Sequence, residues 1–107
     1  MNNLFVNNLN PSDVVSNYVL SANTAVTVQL PAGAIYASIT ANNDFYANFN
    51  GTTAAVPSSN VVNSSAGMVL NPALKWVGGI TTFSIVSNTS TIVTIEYYFS
   101  QFVVGFG

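Results

Sequence analysis

Charge is almost missing from this chain. It has no Arg, His or Cys, and only Asp13, Asp44, Lys75 and Glu96 carry formal charge. Without cysteine there is no disulfide, zinc-thiolate site or redox pair, although this assigns no compartment. A Ser or Thr nucleophile needs an activating base. Without His a Ser-His-Asp triad is impossible, and a Ser–Lys dyad through Lys75 is the one arrangement left to draw. Phosphate neutralisation needs many cations, so one lysine excludes nucleic-acid binding by that route. General acid/base chemistry by paired carboxylates needs two of them a few ångströms apart, whereas Asp13, Asp44 and Glu96 fall on three separate stretches. No apolar run approaches 18 residues, so no transmembrane helix is expected. No basic segment precedes an apolar one at the start, so no secretory signal is visible.

What is present is apolar and neutral-polar. Of 107 residues, 50% are hydrophobic and 4% charged, against about 25% charged in an average soluble domain. The length suits one domain over 1–107. The chain is too apolar for intrinsic disorder. A net charge of −2 with almost no mixed surface charge gives little colloidal repulsion. Much of the surface is therefore expected to be covered in an assembly; the alternative is a soluble monomer coated with Asn, Ser and Thr.

The hydrophobic period is two, which predicts strands. Val26, Val28 and Leu30 form one apolar row, as do Ile35, Ala37 and Ile39; Phe45, Ala47 and Phe49; Phe83 and Ile85; and Val93, Ile95, Tyr97 and Phe99. An edge strand over Val14–Leu20 would turn Tyr18 and Leu20 inward. Turn residues separate the rows: Pro31-Ala32-Gly33, Asn42-Asn43-Asp44, Asn50-Gly51 with the positive φ that Asn-Gly supplies, and Gly78-Gly79. Ser87-Asn88-Thr89-Ser90 is read as a hairpin. The fold class is all-β: an antiparallel β-sandwich, jelly-roll-like, or a small barrel.

Residues 51–79 break the rhythm as a long irregular connection. Short strands are expected at Val61-Val62 and at 68–70, and one helical turn over 73–77. Asp44 reads as a turn residue bonding its own backbone; a calcium site with Asn42 and Asn43 can also be drawn around it. Glu96 either pairs with Lys75 or stands solvated. Trp76, the single tryptophan, either caps the core or anchors an interface. Three Asn-X-Ser/Thr sequons, at Asn50, Asn63 and Asn88, are matches that chance supplies in so Asn- and Ser-rich a chain. Residues 100–107, Ser-Gln-Phe-Val-Val-Gly-Phe-Gly, form an apolar tail that either finishes the core or docks on a neighbour.

The motif order is Leu20-Ser21-Ala22-Asn23-Thr24-Ala25-Val26, Pro31-Ala32-Gly33-Ala34, Asp44-Phe45-Tyr46, Ala54-Ala55-Val56-Pro57, Leu70-Asn71-Pro72, Gly79-Ile80-Thr81-Thr82-Phe83-Ser84-Ile85 and Thr94-Ile95-Glu96-Tyr97-Tyr98. Over roughly residues 10–100 it resembles small virion proteins of tailed bacteriophages. Those relatives carry more Arg, Asp and Glu in the long segment, where this chain has Asn and Ser. The resemblance implies a non-enzymatic β-sandwich of the virion, and in first place a head decoration (cement) protein on the capsid surface. Its partners would be the major capsid protein and copies of itself in a homotrimer, without nucleic acid, membrane, cofactor or metal. The expected interface residues are Trp76, Phe99, Phe102, Val103, Val104 and Phe106. A tail, fibre or portal-proximal component is an alternative location. A carbohydrate-binding module using Tyr36, Tyr46 and Tyr98 is an alternative class, and a Thr27, Thr40, Thr82, Thr94 surface-binding face a further one.

Overall fold

The computed structural model describes residues 12–99. Among them are eight strands and no helix: β1 (Val14–Leu20), β2 (Val26–Gln29), β3 (Tyr36–Ala41), β4 (Tyr46–Asn48), β5 (Val69–Leu70), β6 (Leu74–Trp76), β7 (Thr82–Val86) and β8 (Thr91–Tyr98). They form two four-stranded sheets, ordered β1-β8-β3-β6 and β2-β7-β4-β5, here called sheets A and B. All pairings are antiparallel. β1 pairs with β8, β2 with β7, β3 with β6 and β4 with β5. This is one long hairpin, first half against second, wrapped into two sheets: the jelly-roll arrangement. The sheets do not close into a barrel.

The inward rows meet between the sheets. Leu20, Val28, Ala37, Phe45, Ala47, Ile85, Val93, Ile95 and Tyr97 are almost wholly buried there. Burial of a side chain such as Leu20 or Ile85 contributes about 1.5–3 kcal/mol. Phe49 and Phe83 stack at 4.6 Å between centroids, and the Lys75 ammonium lies 4.9 Å above the Phe49 ring. Lys75 pairs with buried Ala37, so it points between the sheets with its stem along apolar surface. Glu96, opposite Ser38 and Val15, lies on the outer face of sheet A. The two charges are on opposite sides of one sheet, so they do not pair within the chain.

Several expectations change. The 73–77 helical turn is strand β6. Pro72 and Gly78 confine it to five residues, too few to nucleate a helix, and the open edge of β3 offers a ladder. Ile39 N–H donates to Ala73 O, and Val77 N–H to Ile35 O, each at 2.7 Å. Ser87–Ser90 is not a hairpin, because β7 lies in sheet B and β8 in sheet A. Val61-Val62 forms no strand; both are exposed, and Asn63 at φ 55° turns the chain away. Of the expected 68–70 strand, Val69–Leu70 remains. Gly51 does adopt positive φ, 92°.

Residues 50–68, the tip of the long hairpin, fold as an arm over the outside of sheet B. Asn48, which pairs with Ser84 on that outer side, anchors the arm. Its amide donates to Ser65 O (2.9 Å) and Gly67 O (3.0 Å), and its Oδ1 accepts from Asn50 N–H (2.8 Å) and Thr52 N–H (3.1 Å). Ala54 N–H donates to Ser84 Oγ at 2.8 Å. Under this cover Asn48 and Ser84 are buried, and with Val86 also buried on the same side, β7 is buried on both faces.

Candidate interaction surface

Sheet A has no such cover among the described residues. Its outward positions form cross-strand rows fixed by register. One row runs Tyr98–Tyr36–Trp76 across β8, β3 and β6. The next runs Val15–Glu96–Ser38–Leu74, then Asn17–Thr94–Thr40, and finally Val19–Ile92. Thr94 Oγ1 donates to Asn17 Oδ1 at 2.9 Å, tying the middle row together. Trp76 is 59% exposed, Leu74 57%, Val15 54%, Val19 73% and Ile92 46%. Isolated exposed hydrophobes are ordinary. Here Leu74 and Trp76 are same-face neighbours on β6, and Val19 and Ile92 are neighbours across β1 and β8. These are two apolar pairs with the polar Glu96–Ser38 and Asn17–Thr94–Thr40 positions between them. Val61, Val62, Val69 and Leu70 are also exposed, on the arm and β5 at the other sheet.

Trp76 therefore does not cap the core. Its indole lies along the Gly78-Gly79 backbone: a Cβ at Gly78 would meet Cζ2 at 3.0 Å, and one at Gly79 would meet Cζ3 at 3.3 Å. The two glycines leave room for the ring to lie flat, which presents its other side outward.

The charges of this face gather at one corner. Asp13 Oδ2 accepts from Phe99 N–H at 2.9 Å, joining the segment before β1 to the end of β8. Burial pushes the Tyr98 phenol above its ordinary range, with the Glu96 carboxylate, its hydrogen bond to Tyr98, and Asp13 adding to the shift. Asp13 and Glu96, far apart in sequence, thus act on one phenol. Phe99 is exposed beside them. Phe102, Val103, Val104 and Phe106 lie outside the described residues.

Other sites proposed from the sequence are dispersed. Tyr46 lies on sheet B, opposite Val86 and Leu70, away from Tyr36 and Tyr98. Thr27 and Thr82 lie in sheet B and Thr40 and Thr94 in sheet A, so the four threonines share no face. A depression of about 260 Å³ is lined by Asn42, Asn43, Asp44, Phe45 and Asn71. Its groups are committed: Asn42 Oδ1 accepts from Ile92 N–H, Asn43 Nδ2 donates to Ser90 O, and Asp44 Oδ1 accepts from Asn71 Nδ2. Asp44 thus bonds across segments instead of to its own turn. Among the described residues no three Asp, Glu, His or Cys side chains cluster.

Val15, Val19 and Leu74 were missed as interface candidates. The signal for the first two was present: Val14–Leu20 is apolar at outward as well as inward positions. Leu74 was hidden by the helical reading of its segment. No family model matches the chain, and neither does any curated protein or solved structure.

Proposed function

We propose that the chain is a non-enzymatic structural protein of a tailed-phage particle, a head decoration protein that bridges capsid subunits from the outside. One observation carries this reading: the two outer faces of the sandwich are treated differently. The middle strands of sheet B, β4 and β7, are covered by the chain's own arm, while sheet A presents Trp76, Leu74, Val15, Val19 and Ile92 uncovered among the described residues. The jelly-roll topology, which recurs in viral capsid domains, and the run of virion-protein motifs support it. Binding would be by burial, with about 800 Å² covered per partner in a standard interface. Trp76 is the anchor expected to dominate. Among the described residues the face carries two carboxylates, Asp13 and Glu96, at one corner and no cation, so docking by burial should depend only weakly on salt. The partners are the major capsid protein and further copies of the chain, as a trimer on the particle.

The test is co-sedimentation of purified protein with head shells lacking it, alongside labelling of intact particles with an antibody to the chain. Retention on shells between low and molar salt is expected. The W76A/L74S double substitution should weaken it by about 2 kcal/mol or more, some thirtyfold. Label confined to tails would move the protein to a tail or fibre position; no label on particles ends the proposal.

A second reading rests on the Tyr98–Tyr36–Trp76 row, three aromatic side chains in direct register. Such a row suits stacking against sugar rings. Glycan-array binding that disappears in Tyr36→Ala and Trp76→Ala would favour a carbohydrate-binding module.

A further inference from the structure

A sandwich has four edge strands, and each displays unpaired peptide groups that invite another strand. Three are guarded here. β2 spans four residues and stops one residue short of Pro31; β5 spans two and runs into Asn71-Pro72; β6 spans three, follows Pro72 closely and carries Lys75. Shortness, proline and lysine are the usual devices that blunt an edge. β1 has none of them. Val14–Leu20, Val-Val-Ser-Asn-Tyr-Val-Leu, is seven residues long with no proline, glycine or charge. It pairs without interruption with β8 on one side. On its other side it pairs with no strand among the described residues.

We infer that β1 is a self-pairing edge: two copies of the chain join β1 to β1 antiparallel about a twofold axis, making one continuous eight-stranded sheet from the two A sheets. Antiparallel pairing of a strand with itself is self-complementary, as a twofold interface requires. Full overlap of seven residues puts the axis at Asn17, the central residue. Val15 of one copy then opposes Val19 of the other on the outer face, and Ser16 opposes Tyr18 on the inner one. Nothing charged is brought together, because Asp13 falls beyond the overlap at both ends. A second copy suits this edge better than a charged partner, since the strand offers no charge for such a partner to match.

The seam is small. Seven residue pairs extend about 24 Å. An edge on the order of 15–20 Å across would cover roughly 400 Å² per copy, at the low end of specific interfaces. The pair should be weak in solution and strengthened where copies are already arrayed. It is a twofold contact, distinct from the threefold one proposed above, and it does not depend on the particle reading.

The absence of cysteine makes the test clean. In Asn17→Cys the two sulfurs would meet on the axis, where directly opposed antiparallel residues place their Cα atoms about 4.5–5.5 Å apart, within disulfide reach. Under mild oxidation at high micromolar concentration, N17C should form a covalent dimer at least about tenfold faster than T40C, whose cysteine is on the same exposed face two strands away. Adding V15K and V19K to N17C sets lysines opposite each other across the axis. It should reduce cross-linking to the T40C rate while leaving the circular dichroism and the urea midpoint unchanged. Equal rates for N17C and T40C overturn the proposal, whether the edge is bare or covered by the chain's own ends. So does rapid cross-linking that survives V15K/V19K.

Discussion

Tyr97 lies on the inward row that alternation predicts, but the setting is an unusual one for its hydroxyl. It is fully buried on the inner face of β8, yet its hydroxyl has no hydrogen-bond partner among the described residues. Burial pushes its phenol up to about 12, with Tyr18 adding to the shift. The unfolded chain releases this proton near pH 10, while the folded chain holds it to about 12. Above pH 10 the unfolded state therefore binds fewer protons, so the stabilising contribution is complete below pH 10 and disappears as pH rises through 12. The wild-type protein should lose on the order of 2 kcal/mol from this group over that interval. Tyr97→Phe should lose that much less, and at pH 7 it should be at least as stable, because an unsatisfied buried hydroxyl is removed. Urea titrations at pH 7, 9 and 12 check both statements; a Phe variant clearly weaker at pH 7 would show that the hydroxyl is satisfied.

Among the elements, the arm over sheet B owes most to a single side chain. Asn48 is 1% exposed and satisfies two carbonyls and two amides of the arm. Asn48→Ala would strand these groups beside an apolar gap, at about 2–4 kcal/mol. It should also loosen residues 50–67, so limited proteolysis should cut there faster than in the wild type by more than the change in global stability requires. Equal protection would mean that Ala54–Ser84 and apolar contact hold the arm without Asn48. The long segment is thus a cover over part of one sheet, β4 and β7, and this explains why Asn48 and Ser84, outward by alternation, are buried. Periodicity places a residue on one face of a strand or the other, but it does not say what lies above that face.

For the whole molecule, topology sets the folding rate. Only β4 and β5 are neighbours both in sequence and in their sheet; every other ladder joins distant strands, up to β1 with β8. Such non-local pairing places folding in the millisecond-to-second range. Stopped-flow refolding followed by Trp76, the single tryptophan, should show it; a sub-millisecond phase carrying the full amplitude would contradict the ladder order.

The sequence by itself determined the class, the inward rows of β1, β2, β3, β7 and β8, and the positive φ at Gly51, because alternation and turn chemistry are local properties of the chain. It also determined what chemistry is absent, since a missing side chain is missing in any fold. Only the tertiary structure decided that Ser87–Ser90 crosses between sheets, that residues 73–77 complete an edge, and that Lys75 and Glu96 lie on opposite sides of sheet A. It alone decided that the long segment lies over the outer side of β4 and β7. These depend on which distant segment lies alongside, and pairing partners in a jelly roll are set by how the long hairpin wraps, information that no single strand carries.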